Sequence, residues 1–210
     1  MMATFVAALS RLVTGPAVVW HCDPHATGQR IYFANHSSHL DFVVLWASLP
    51  AAQRRAVRPV AGRDYWERNA VRRYFARAIF KAVLVERHDR ATGEVPDRAA
   101  AARQAIDHMA REMGSTHSLI VFPEGTRSAN GEVGPFKSGL YHLAAARPDA
   151  ELVPVHLHNL NRVLPRGESL PVPMLSRVTF GAPLAPAAGE PKETFLTRAR
   201  AAVLALKEDA

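Results

Sequence analysis

A histidine and an aspartate, His36 and Asp41, stand five positions apart in Asn35-His36-Ser37-Ser38-His39-Leu40-Asp41, directly after the apolar run Ile31–Ala34. On one continuous helix that separation puts two side chains about 140° apart, from the 3.6-residue turn, and they could not pair. Across a junction from loop to helix they can meet. With Ser37 or Ser38 capping a helix that contains Leu40 to Leu49, the imidazole lies in the loop and the carboxylate in the first turn, close enough to orient it. A base and an orienter with no nucleophile of their own leave that part to a hydroxyl on the substrate, so direct group transfer becomes available chemistry. Ser38 and Asp41 also fit a capping box, with His36 an ordinary loop histidine, and the residues alone leave both readings open. His39 is the poorer base, because helix residues two positions apart do not face each other.

A second polar cluster, Phe122-Pro123-Glu124-Gly125-Thr126-Arg127-Ser128, closes the apolar run that begins at Ser118. Pro123 and Gly125 bring backbone N–H groups close to a ligand, Thr126 and Ser128 add hydroxyls, and Arg127 presents a fork suited to phosphate. The set reads as an anion cradle; the bland alternative is a surface turn closed by a Glu124–Arg127 ion pair. Phe136-Lys137-Ser138-Gly139 then opens a helix, adding a cation and a helix N-terminus that could face the same cleft. Two marks that mean little alone are Arg87, at the end of Val83-Leu84-Val85-Glu86-Arg87, and the proline in Leu152-Val153-Pro154-Val155.

The elements that must position these groups alternate. Short β-rich runs at Ile31–Ala34, Val57–Ala61, Ala82–Glu86, Ser118–Phe122, Leu152–His158 and Arg177–Phe180 are separated by segments of helical period. The clearest is 97–113, where Ala99, Ala102, Ile106, Met109 and Met113 recur at steps of three and four. Other helices are expected near 38–48, 64–80, 138–147 and 192–207. This is the pattern of an α/β fold with a mixed, mostly parallel sheet flanked by helices, the closely spaced last strands being free to pair antiparallel. In such sheets ligands gather beyond the carboxyl ends of strands, which is where both polar clusters fall.

The chain of 210 residues needs only one core. An N-terminal helical segment at 1–20 is expected ahead of a domain over 21–210. Arg11 and the Gly15-Pro16 pair cut its apolar run into pieces too short to span a membrane, and it serves either as an interfacial helix or as a helix packed on the core. The net charge of +7 favours phosphates, anionic headgroups or an acidic carrier. Cys22 is the single cysteine, so no intrachain disulfide and no cysteine-based metal site can form, as suits a reducing compartment.

In this order the segment Asn35–Asp41, Arg87 after its strand, Phe122–Ser128, Phe136–Gly139 and Val153-Pro154-Val155 resemble the bacterial 1-acylglycerol-3-phosphate acyltransferase family, over about residues 31 to 158. The resemblance implies a glycerolipid acyltransferase-like fold, acyl-CoA or acyl-acyl carrier protein as donor, a lysophospholipid hydroxyl as acceptor, and no cofactor or metal. It makes His36 the general base and Asp41 its orienting carboxylate. Glu124, Gly125, Thr126, Arg127 and Arg87 become acceptor-binding residues, with Lys137 beside them. Many members carry a lysine after the strand that follows the His–Asp helix; here Gly62 and Arg63 stand there, so Arg63 takes the phosphate contact or the acceptor is another lyso-lipid. Many also have a longer hydrophobic anchor. Docking on the inner face of a membrane from the cytoplasm then rests on residues 1–20, on apolar side chains such as Trp46, and on basic residues nearby.

Two rival readings remain at this level. A metal-dependent phosphoesterase would use His36, His39 and Asp41, completed by distant His108, His117, His142, His156 or His158. A non-catalytic lipid- or nucleic-acid-binding module would use only the basic loops. The aromatic spacing shows no nucleic-acid stacking motif, so no nucleic-acid partner is expected.

Overall fold

The computed structural model describes residues 2–86, 98–128, 130–160 and 175–207. Seven strands form one sheet: β1 (Ala17–Trp20), β2 (Arg30–Ala34), β3 (Val57–Gly62), β4 (Val83–Val85), β5 (Ser118–Val121), β6 (Glu151–His158) and β7 (Arg177–Phe180), in the spatial order β1-β7-β6-β2-β5-β3-β4. Every neighbouring pair is parallel except β6 and β7, which run antiparallel with Val155 opposite Phe180.

β2 is the middle strand, hydrogen-bonded to β5 on one side and β6 on the other, and all five of its residues are buried. Successive side chains point to opposite faces. Tyr32 and Ala34 enter a core with helices α1 (Met2–Thr14) and α2 (Asp41–Ser48), through Ala7, Val44 and Leu45. Ile31 and Phe33 enter the other core, under α6 (Arg98–Met113), α7 (Gly139–Ala146) and α8 (Lys192–Ala205), through Ile106, Leu140, Leu143, Phe195 and Val203. A strand covered on both faces reads as a continuous apolar run, which is why Ile31–Ala34 shows no alternation.

Three elements differ from expectation. The helix expected over 64–80 is broken into α4 (Arg63–Trp66), α5 (Ala70–Tyr74) and a π-helix (Phe75–Ile79). Asn69 makes the break: its backbone is extended, at φ −148° and ψ 164°, and its side chain accepts a hydrogen bond from Arg72 N–H at 2.8 Å. Asparagine favours such a cap over a helix interior. β1 and the short helix α3 (Ala51–Ala56) were not expected, four and six residues being too few to carry a period. Residues 17–20 thus form an edge strand of the same sheet, paired with β7.

α1 lies against α2, with Ala7 buried, Ala3 and Val6 packed beside it, and Arg11 donating from Nε to Ala47 O at 2.8 Å. Its opposite face carries Met2, Phe5, Leu9 and Leu12, all exposed. The helix therefore packs on the core and presents an apolar stripe at once. Trp46, expected at a membrane surface, is instead buried, edge-on to Phe80 and donating from Nε1 to Arg54 O. Among the described residues no helix is long and apolar enough to cross a membrane.

Candidate active site

β2 and β5 are parallel neighbours, so the chain leaves both at the same edge of the sheet. The His36 segment and the Phe122–Ser128 turn emerge side by side there, and the backbone ties them together. His36 N–H donates to Glu124 Oε1 at 2.8 Å, and Ser128 N–H donates to His36 O at 2.8 Å.

The His36 ring is held on two sides. Its Nδ1 lies 2.8 Å from Asp41 Oδ2, and its face stacks on Phe122 with centroids 4.3 Å apart. An ionised carboxylate only accepts, so Nδ1 is the donor of this bond, and in the neutral ring Nε2 is left with its lone pair. Asp41 is fully buried, and the same Oδ2 accepts from Ser37 N–H at 2.6 Å and Ser38 N–H at 2.8 Å. These backbone donors fix the carboxylate at the first turn of α2. Ser38 does not cap α2 as expected: the N-cap is Leu40, and Ser38 Oγ accepts from Leu40 N–H within the preceding turn. The aspartate reaches backwards, as in a capping box, and also holds the imidazole. The two readings of this segment are thus one structure.

Glu124 is buried, with both carboxylate oxygens taken by backbone: Oε1 by His36 N–H and Oε2 by Gly134 N–H at 2.9 Å. The Glu124–Arg127 ion pair of the surface-turn alternative is absent among the described residues. Burial pushes the Glu124 carboxyl up from its ordinary value, against the pull of the Gly134 and His36 N–H groups. Gly134, which no motif flagged, is what admits this carboxylate, since a Cβ there would fall 2.9 Å from Oε2. Gly125 adopts φ +71°, and a Cβ on it would fall 2.6 Å from Lys137 Nζ. The Lys137 side chain therefore lies over the turn, and its backbone N–H is anchored on Pro123 O at 2.9 Å.

Beside the dyad opens a cleft of about 480 Å³ lined by Glu124, Thr126, Ser128, Val133, Phe136 and Lys137 among others; the His36 ring is not part of its lining. Arg127 is half-buried, and its charge opposes a proton on His39. Arg63 stands on exposed α4 and pairs with Glu67 at 3.5 Å, and among the described residues no hydrogen bond or ion pair ties it to the turn at 124–127. Arg87 lies outside the described residues. Two aromatic groups that sequence reasoning did not single out also shape the site: Phe122 stacks on His36, and Tyr65 on His39 at 4.9 Å. Among the described residues no three His, Cys, Asp or Glu side chains are grouped to hold a metal ion.

The chain is 36% identical over 78 residues to a chloroplastic 1-acyl-sn-glycerol-3-phosphate acyltransferase of Brassica napus, covering 36% of this chain and 22% of that protein. It is 30% identical over 127 residues to a 1-acyl-sn-glycerol-3-phosphate acyltransferase of Limnanthes alba, covering 57% of this chain and 38% of that one. The match thus spans well under half the length of these relatives. The fold is that of the 1-acyl-sn-glycerophosphate (LPA) acyltransferase PlsC of Thermotoga maritima, with a TM-score of 0.71 at 19% identity over 99% of this chain and 78% of that one. Residues 17–158 match the sequence model of the Acyltransferase family, and this stretch holds β1 to β6 with both polar clusters: the chain belongs to that family.

Proposed function

We propose that this chain is an O-acyltransferase that moves a fatty acyl group from acyl-CoA or acyl-acyl carrier protein to the hydroxyl of a lysophospholipid, 1-acylglycerol-3-phosphate first among them, in phospholipid synthesis. The observation that carries the reading is the His36–Asp41 dyad, whose ring has a carboxylate as its bonded orienter and not a hydroxyl or thiol of the chain. In this mechanism His36 Nε2 takes the proton of the acceptor hydroxyl, whose oxygen attacks the thioester carbonyl carbon. The tetrahedral oxyanion then collapses, the C–S bond breaks, and the thiolate recovers the proton from the imidazolium. Asp41 stabilises the imidazolium while it exists. Glu124 acts through the backbone of His36, and Gly125, Thr126, Arg127 and Lys137 face the acceptor, a role that the resemblance also gives to Arg87.

The reading places the protein at the cytoplasmic face of a membrane, and the stripe of Met2, Phe5, Leu9 and Leu12 supports contact with a membrane surface. The deciding experiment is thiol release from acyl-CoA and acyl-carrier donors with a panel of lyso-lipids, followed by the mass of the product. Acylated phospholipid is the expected product. Liposome binding with no thiol release from any donor would leave only a lipid-binding module, and activity lost to a chelator and restored by a divalent ion would move the dyad to a metallo-phosphoesterase.

A further inference from the structure

Asn35 opens the dyad segment, and the mechanism above gives its side chain no part. That side chain is buried and clamps one residue of β6: Nδ2 donates to Leu157 O at 3.0 Å, and Oδ1 accepts from Leu157 N–H at 2.8 Å. The amide thus pairs with β6 as the backbone of a neighbouring strand would.

The register of the sheet says what this pairing replaces. β2 and β6 run parallel from Arg30 opposite Glu151 to Ala34 opposite Val155, and Glu151 N–H donates to Gln29 O, on the residue before its opposite number. The bonds of a parallel ladder are evenly spaced. Carried past Ala34 and Val155, the ladder would set Leu157 opposite His36, with Leu157 N–H on Asn35 O and Leu157 O accepting from Ser37 N–H. The Asn35 side chain fills both places instead. Ser37 N–H is left for Asp41 Oδ2, at 2.6 Å, and His36 N–H goes to Glu124 at 2.8 Å. The strand therefore stops pairing just before the base, and Leu157, only 2% exposed, keeps both of its backbone groups bonded.

We propose that Asn35 is a positioning residue for His36: its amide ends the β2–β6 ladder at Leu157 and so releases Ser37 N–H to fix the Asp41 carboxylate behind the imidazole. Its effect on transfer rests on the acyltransferase reading; its effect on the dyad does not. Without the amide donor, the buried Leu157 carbonyl needs another. The register offers Ser37 N–H, and that bond draws a donor off Asp41.

The test compares Asn35→Ala with Val203→Ala, which trims a fully buried side chain of α8 in the core on the other face of the sheet. Asn35→Ala should lower kcat by about 10²-fold, the effect of a misplaced base, with KM for both substrates within about twofold. Val203→Ala should lower the urea midpoint and keep kcat within about twofold. A second readout does not need turnover. The downfield Nδ1–H resonance of His36, assigned by its disappearance in His36→Ala, should move in Asn35→Ala and stay in Val203→Ala. Asn35→Asp keeps the shape and the acceptor and loses only the donor, so it serves if the alanine variant does not fold; at pH 8 it should show the same loss of kcat and the same moved resonance. An unmoved resonance in the Asn35 variants overturns the proposal whatever kcat does. So does wild-type kcat in them, or a fall in Val203→Ala as large as theirs. A moved resonance in a protein that releases no thiol from any acyl donor would sink the acyltransferase reading and leave the positioning role standing.

Discussion

Two histidines mark the carboxyl ends of neighbouring parallel strands, His36 just beyond β2 and His156 near the end of β6, and they have opposite fates. The His36 side chain is 17% exposed and its Nδ1 meets a carboxylate. His156 is buried, its Nδ1 has no hydrogen-bond partner, and its pKa is lowered to about 4 by burial first and then by His158 and Lys207. The same side chain at the same edge of one sheet meets a countercharge in one place and is denied a proton in the other. What differs is the partner: Asp41 supplies the countercharge for an imidazolium, while His156 is buried with His158 and Lys207 nearby and no carboxylate among the described residues.

Removing the ring that has the countercharge gives the largest effect. His36→Ala should slow transfer by about 10³-fold or more with little change in the urea midpoint, because the ring's fixed contacts are Asp41 and the face of Phe122. Wild-type turnover by this variant would remove His36 from the chemistry. Asp41→Asn keeps an oxygen for the Ser37 and Ser38 N–H groups but loses the charge that stabilises an imidazolium. A fall in kcat of roughly 10²-fold is expected with the fold retained, and an unchanged kcat would mean that the pair is only a helix cap.

The second histidine writes itself into stability. Its folded pKa of about 4 lies below the ordinary value near 6.5, so between those values the unfolded chain binds a proton that the folded chain refuses. Stability is unaffected above the ordinary value, falls as the pH drops below it, and has lost up to about 3 kcal/mol from this group by the folded pKa. Urea unfolding at pH 7 and pH 5 should show about 2 kcal/mol of that loss in the wild type and a smaller one in His156→Leu. Equal losses in the two proteins would mean that His156 finds a partner or a water when it charges.

Much of this was legible in the sequence, and the boundary of legibility is physical. The dyad and the turn at 122–128 follow apolar runs whose central placement is written in their uninterrupted hydrophobicity. Parallel strands follow from helix-sized crossovers, but their order does not, and it is the pairing of β2 with β5 that brings residues 88 apart into contact. The stacking of His39 on Tyr65 and of Arg72 on that ring had no such signal. It depends on Asn69 breaking a helix that the period of 64–80 predicts as continuous, and a cap competes with a period only through local geometry. Arg63 was singled out by its position after β3, but position in the chain does not reveal that Glu67, one turn on, accepts its charge.

The smallest effect concerns what keeps His36 in place. Glu124 accepts from two backbone N–H groups, one on each oxygen, so a glutamine there satisfies one of them and turns its own NH₂ toward the other. Glu124→Gln should cost about 1–3 kcal/mol of stability, the price of one buried donor left without an acceptor. If the displaced donor is that of His36, the loop shifts and kcat falls with it; if it is that of Gly134, stability falls and kcat holds. Glu124→Asp separates the cases differently, since the carboxylate keeps both lone-pair sets but its shorter stem cannot span the gap between residues 36 and 134. A glutamine variant as stable and as active as the wild type would show that the carboxylate's two backbone bonds do not position the base, and the contrast between the two histidines would then rest on Asp41 alone.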